Sequence, residues 1–366
     1  MIPPTVRPWW LALGLAACNN GPHFAAPGMY DLDAWARESD AGAVADGPEA
    51  DGDADADADA DGGTEGEGRD AASPADGALP DRPAPVPLSF AACTSPPCIN
   101  VLNNCPIPLW THAVATVPID DGNVRRLEPG QQYQYAALPR FGGGRIYAYY
   151  REPASKQDPV RLVSDYNQFV EMTVDTDAAG AWAQNYNISY VDYAGLPVLM
   201  KAQGACRETS CPVRLEDWMT MLQHCPTELR NQDQGLSTCM GSYIYCLGAN
   251  DETQPYCRKM RDAHGVAGSA VYGGVFPEHP SSDLAFWDGV AAWNRGTTPG
   301  DADDAHYYRT EPFNHYARWI HRELGCSDVY AFSTDDHQDK AGFVRCTSPV
   351  LNVVWCPLDG GRPVIF

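Results

Sequence analysis

Ten cysteines between Cys105 and Cys356 constrain this chain more than any other feature. The first and last sit in apolar, strand-like runs, Ile99 to Pro106 and Leu351 to Pro357, at the two ends of one region. An even count over so long a stretch reads as a disulfide framework formed in an oxidising compartment. The N-terminus agrees with that reading. Arg7 is the one basic residue before an apolar run from Trp9 to Ala17, and small residues lead into Cys18. The run is too short to cross a bilayer and reads as a signal peptide over 1–17.

Leu15-Ala16-Ala17-Cys18 resembles a bacterial lipobox, in which the cysteine is lipidated and becomes the first mature residue. Asn19 and Asn20 follow without an aspartate at the second mature position, so the resemblance implies export, as an outer-membrane lipoprotein or an extracellular protein. Several acyl chains anchor a protein stably where one does not. Residues 18–87 are the lipidated cysteine and an acidic linker of Ala, Asp, Gly and Pro that can build no core. Asp31 to Arg82 holds most of the chain's net charge of -23, and such a segment repels itself and extends. Its Asp-Ala run lacks the turn glycine and terminal glutamate of an EF-hand loop, so it reads as a tether and not as a calcium site. The rest of the chain is also acidic, which argues against nucleic-acid binding.

Residues 88–366 are long enough for one large β domain with an insert. Short strand candidates bounded by Gly, Pro, Asn or Asp dominate: Asn100–Leu102, Gln131–Ala136, Gly144–Tyr150, Gln168–Val174, Ile188–Tyr193, Val198–Lys201, Asp328–Phe332, Gly342–Arg345 and Asn352–Trp355. Helical spacing appears at Leu215–Leu222, at Phe286–Trp293, and over Pro312–Leu324, where Phe313, Ala317, Ile320 and Leu324 form one stripe. The pattern is mainly β, a sandwich interrupted by a disulfide-rich, partly helical insert near 206–326.

Seven co-linear segments then resemble a known family: Asn103-Asn104-Cys105-Pro106 with Trp110, Arg126 to Gln131, Val170 to Thr173, Ile188 to Pro197, Cys225 to Arg230, Tyr330 to Asp336, and Val354 to Pro357. In order and cysteine placement they are similar to the thaumatin-like proteins and to the related family-64 bacterial β-1,3-glucanases. The resemblance implies a thaumatin-like β-sandwich, a disulfide-rich second domain and an acidic cleft between them. It implies the pairs Cys105–Cys356, Cys206–Cys346, Cys211–Cys326, Cys225–Cys239 and Cys246–Cys257, leaving Cys93 and Cys98 as a local pair. It implies a cleft lined by Glu171 and Asp192, with Arg145, Asn187, Asp335 and Asp336 as substrate-binding positions. Asn187 stands where plant members carry an aspartate, and their T-G-D-C segment is missing between Tyr150 and Gln168.

Alternation along the strand around Glu171 puts Phe169, Glu171, Thr173 and Asp175 on one face and Val170, Met172 and Val174 on the other. With a hairpin symmetric about Gly180, Glu171 pairs near Tyr190, and Asp192 is its diagonal neighbour at about 7–8 Å. Glycoside hydrolysis by inversion needs two carboxyl groups about 6.5–9.5 Å apart. The expected function is hydrolysis of β-1,3-glucan, with Glu171 as general acid and Asp192 as general base. The alternatives are a glucan-binding module without catalysis and a surface interaction protein that uses the insert. Trp182, in a Gly-Ala-rich stretch, is the candidate sugar platform; Tyr147, Tyr149, Phe286, Val290 and Trp293 read as core. His315 and His321 share no helical face, so they form no zinc pair. Asp301, Asp303, Asp304 and His306 read as a solvated loop, and Gly142-Gly143-Gly144 as a turn. The chemistry needs no cofactor or metal. The expected partners are β-glucan or another polysaccharide and, through lipid alone, a membrane, with a monomeric protein.

Overall fold

The computed structural model describes residues 88–115, 123–136, 141–153, 167–176, 180–233, 236–337, 342–359 and 364–365. These fall in one compact unit. The signal segment, Cys18 and the acidic linker lie outside the described residues.

Two large sheets are built from β1 (Cys98–Asn103), β2 (Leu109–Val114), β3 (Arg125–Leu127), β4 (Gln132–Ala136), β5 (Phe141–Tyr149), β6 (Asn167–Thr176), β7 (Trp182–Ser189), β8 (Val198–Ala202), β9 (Glu208–Ser210), β10 (Val344–Thr347) and β11 (Val350–Trp355). One sheet has the order β9-β8-β11-β1-β4 and the other β10-β7-β6-β5-β2-β3. Alternate residues of the two sheets meet in one core. Ile99 and Val101, Met200, and Leu351 and Val353 come from the first sheet; Ile146, Val170, Met172, Val174, Tyr186 and Ile188 come from the second. β1 and β11 run parallel in the middle of the first sheet and are buried along their whole length. That burial explains why both ends of the region read as unbroken apolar runs.

Six disulfides join Cys93–Cys98, the expected local pair, and Cys105–Cys356, Cys206–Cys346, Cys211–Cys326, Cys225–Cys239 and Cys246–Cys257, the five pairs that the resemblance implies. Cys105–Cys356 closes a loop of 251 residues beside the parallel pair β1–β11. In the chain-entropy picture a closure of that size stabilises by up to roughly 5 kcal/mol.

The helices cluster between Cys206 and Cys326. Leu215–Met221, Pro255–His264, Gly268–Gly273, Leu284–Arg295 and His315–Arg318 are α-helical, and the last runs on into a π turn at Trp319–Glu323. Phe313, Ala317, Ile320 and Leu324 are all buried, as their spacing requires. A second core of Tyr243, Met260, Val271, Tyr272, Phe276, Trp287 and Val290 packs these helices together. Phe286 and Trp293 lie partly buried against it. Pro255–His264 is a short helix without a strong apolar run; it is started by Pro255 and stopped by Gly265 at φ 71°.

The sequence reading departs from the structure at several strands. β7 begins at Trp182 and ends at Ser189, so Tyr190 to Asp192 lie beyond it, and a separate two-residue strand takes up at Tyr193–Ala194. Gln168 enforces that exit: its amide donates to the Ser189 carbonyl at 2.7 Å and accepts from the Gly195 N–H at 3.1 Å. Asp328–Phe332 is no strand; Tyr330 makes an isolated parallel bridge to Ser189. Gly142-Gly143-Gly144 lies inside β5, at a register shift between Phe141 and Gly144, and is not a turn.

Candidate active site

Strand register assembles the site on the face of the second sheet opposite the main core. Arg145 on β5 pairs with Glu171 on β6, and Glu171 pairs with Asn187 on β7. The next row holds His112, Tyr147, Phe169 and Ser189, with Tyr330 bridged to Ser189. Laterally paired residues point to the same side of a sheet, so these side chains share one face.

The Arg145 guanidinium is held on three sides. Nε and one terminal nitrogen each lie 3.0 Å from Glu171 Oε1. The guanidinium also stands 4.7 Å over the Phe169 ring and contacts the Tyr147 hydroxyl at 3.4 Å. Both contacts to Glu171 fall on Oε1. Oε2 has no hydrogen-bond partner among the described residues, and neither does the amide oxygen of Asn187 directly opposite. The face thus holds a fixed carboxyl with one oxygen unengaged, beside a buried amide oxygen.

Tyr147, Tyr149 and Phe169 are buried, but in a small cluster of their own on the Glu171 face and not in the main core. His112 is buried with them, stacked on both tyrosine rings. It was not singled out in the sequence, where nothing but its alternation on β2 marks it.

Asp192 is not where hairpin symmetry put it. Glu171 faces Asn187 and not Tyr190, so Asp192 lies past the end of β7 and off the Glu171 row. It is 1% exposed, beneath the helical part. Burial first, and then the Asp192 charge, push the Tyr243 hydroxyl well above its ordinary range. Tyr316 is raised by burial, Tyr190 and Asp192.

Trp182 also departs from its expected place. It shares the parity of Gln184, Tyr186 and Ile188, so it points to the core side of β7, and it packs half-buried against the main core.

The two neighbouring aspartates of the Tyr330–Asp336 segment separate. Asp335 is 1% exposed, with His321 Nε2 at 3.0 Å, Arg295 at 3.3 Å and the Ala331 N–H at 2.9 Å. Burial alone would raise its pKa, but His321, Arg295 and that N–H hold the carboxyl below the usual range. Asp336 is only half-buried; burial raises its pKa against the opposing effects of His337 and Tyr330. Tyr330 is 9% exposed; burial, then Asp336, Asp335 and Glu171, raise its pKa and keep the phenol a donor.

Asp301, Asp303 and His306 form an exposed loop in which His306 lies 2.9 Å from Asp301 and 3.7 Å from Asp303. No group of three or more metal-ligating side chains occurs among the described residues. A separate cavity of about 460 Å³ opens in the helical part, lined by Tyr256, Lys259, Phe313, His315, Arg318 and Glu228 among others.

Residues 288–355 match the β-1,3-glucanase family of glycoside hydrolase family 64. That stretch includes Tyr330, Asp335 and Asp336 but not Glu171. No curated protein matches the chain. Among solved structures, a laminaripentaose-producing β-1,3-glucanase in complex with laminaritetraose is 14% identical, with 72% of this chain and 99% of that one covered and a TM-score of 0.54. A β-1,3-glucanase domain of the same family from Clostridium beijerinckii is 14% identical over 73% of this chain and 99% of that one, with a TM-score of 0.51. The laminaripentaose-producing enzyme from Paenibacillus barengoltzii, complexed with laminarihexaose, is 15% identical over 76% and 78%, with a TM-score of 0.50. In fold, and over residues 288–355 in sequence pattern, this chain is similar to the family-64 β-1,3-glucanases.

Proposed function

We propose that the protein binds and hydrolyses β-1,3-glucan on the Glu171 face. The observation that carries this reading is the row Arg145, Glu171, Asn187. Arg145 fixes Glu171 through one oxygen and leaves the other without a partner among the described residues, so the carboxyl is held in one position on this face. The Asn187 amide stands directly opposite on the same face. The fold shared with proteins described as β-1,3-glucanases, two of them complexed with laminari-oligosaccharides, supports the choice of substrate.

A second reading, glucan binding without cleavage, is favoured by one specific observation. The group opposite Glu171 is an amide and not a second carboxyl. Incubating the purified protein with laminarin and with other glucans separates the two. Release of reducing ends from laminarin is the expected result; binding with no release would establish the second reading.

We further infer export and attachment to the outer membrane by lipid at Cys18, with a protein that acts as a single copy. The lipobox-like Leu15 to Cys18 supports the anchor. The six disulfides support an oxidising compartment.

A further inference from the structure

The cavity of about 460 Å³ in the helical part shares no lining residue with the Arg145, Glu171, Asn187 row or with the aromatic cluster beside it. Its volume falls in the range of small-molecule sites, about 300–1,000 Å³. We propose that this cavity is a second saccharide-binding site, which holds a pyranose of a β-glucan chain away from the Glu171 face; the choice of sugar rests on the glucan reading above.

Separate segments of the insert meet to form the walls. Tyr256 and Lys259 come from the Pro255–His264 helix, His315 and Arg318 from the His315–Arg318 helix, and Glu228 from the segment after Cys225. The Cys246–Cys257 bridge ends next to Tyr256, and the Cys225–Cys239 bridge starts just before Glu228, so two of these walls are braced covalently.

The aromatic surface is fixed from below. The Tyr256 hydroxyl lies 2.7 Å from Ser242 Oγ, and Ser242 Oγ donates to Asn314 Oδ1 at 2.8 Å, so the phenol is the donor of its pair. Asn314 donates in turn to Asn294 Oδ1 at 2.9 Å, and Asn294 to the Val271 and Val290 carbonyls at 3.0 and 3.1 Å. Ser242, Asn314 and Asn294 are all buried. Tyr256 also stacks on Tyr272 with centroids 5.7 Å apart, and Phe313 lies against the His315 ring at 4.4 Å. A ring anchored in this way loses little freedom when a ligand arrives.

The rim carries both signs of charge. Lys259 and His315 share Glu311, one on each oxygen, at 2.8 and 3.0 Å. Arg318 lies 3.8 Å from Glu323, and Glu228 adds a further carboxylate. An anion entering here meets Glu228 and Glu323, and a cation meets Lys259 and Arg318, so the lining favours neither. A neutral polyol uses donors and acceptors alike. A pyranose adds apolar faces that suit the Tyr256 and Phe313 rings.

The test is titration calorimetry with laminarihexaose in the Glu171→Gln background, where the sugar is not cleaved during the measurement. To that background are added Lys259→Ala with Arg318→Ala, or Glu228→Gln alone; these side chains are exposed, and each protein is checked for an unchanged melting transition. Glu171→Gln alone should take up two laminarihexaose molecules per protein. Either set of rim changes should weaken one of the two sites about 10- to 100-fold, the range for losing hydrogen bonds to a charged group, and leave the other at full affinity. One molecule per protein, bound equally well with and without the rim changes, overturns the second site and leaves the glucanase reading standing. One molecule whose binding the rim changes weaken keeps the cavity as a saccharide site and removes glucan from the Glu171 face. Two sites that both ignore the rim changes overturn the assignment as well.

Discussion

At the residue scale, the sharpest contrast is between Asp335 and Asp336, neighbours in sequence with opposite surroundings. Asp335 is locked between Arg295 and His321, all but inaccessible. Arg295→Met should cost up to about 3–5 kcal/mol, because it leaves the buried Asp335 carboxylate with His321 and the Ala331 N–H but no guanidinium; chemical denaturation measures this. The pH dependence has a definite sign. The folded pKa of Asp335 is held below its unfolded value of 3.8. Its contribution to stability is therefore complete above that value and is lost as pH falls below it, through the folded pKa. An Asp335→Asn variant should show a shallower loss of stability between about pH 4 and pH 2 than wild type. Nothing in the sequence separates these two aspartates. A side chain's direction in a turn depends on partners such as Arg295 and His321, which lie 40 and 14 positions away. Glu171 was legible for the opposite reason, since strand alternation is local and its apolar neighbours Val170 and Met172 fix the parity.

At the element scale, β7 decides what the site contains. Its pairing with β6 centres the hairpin at position 179, one residue from the symmetric guess, and its exit at Ser189 takes Asp192 off the sheet. That shift puts Asn187 opposite Glu171 where Tyr190 was expected, and Asp192 is no longer a diagonal neighbour. Sequence alone cannot fix such a register when the turn is rich in Gly and Ala. Trp182 on the core side of β7 should therefore act in stability and not in glucan recognition. Trp182→Ala is expected to lower stability by about 1–3 kcal/mol, less than a fully buried tryptophan, and to leave laminarihexaose affinity unchanged by calorimetry. The segment after β7 is just as constrained: a Cβ on Gly241 would lie 1.9 Å from the Val191 carbonyl oxygen. Gly241→Ala should cost about 1–3 kcal/mol or more through overpacking. Gly289→Ala, in the Leu284–Arg295 helix with nothing within 4 Å of its new methyl, should gain about 1 kcal/mol. Thermal melts of the pair give both signs.

At the scale of the whole molecule, the sandwich was legible because its strands are short, bounded by turn residues and joined at both ends by Cys105 and Cys356. The short helices Pro255–His264 and Gly268–Gly273 were not, since they take their stability from tertiary packing around Met260 and Tyr272 more than from their own pattern. The lipid anchor belongs to this scale too. Cys18→Ala is expected to release the protein from the membrane fraction or to block its processing, and unchanged partition with normal processing would remove the anchor. The claim on which the rest depends is that Glu171 performs chemistry on bound β-1,3-glucan. The most direct measurement is turnover of laminarin by wild type and Glu171→Gln, with laminarihexaose affinity of each determined alongside. Turnover is expected to fall on the order of 10² to 10⁴ while affinity persists; equal turnover in the two proteins would contradict a catalytic role for Glu171.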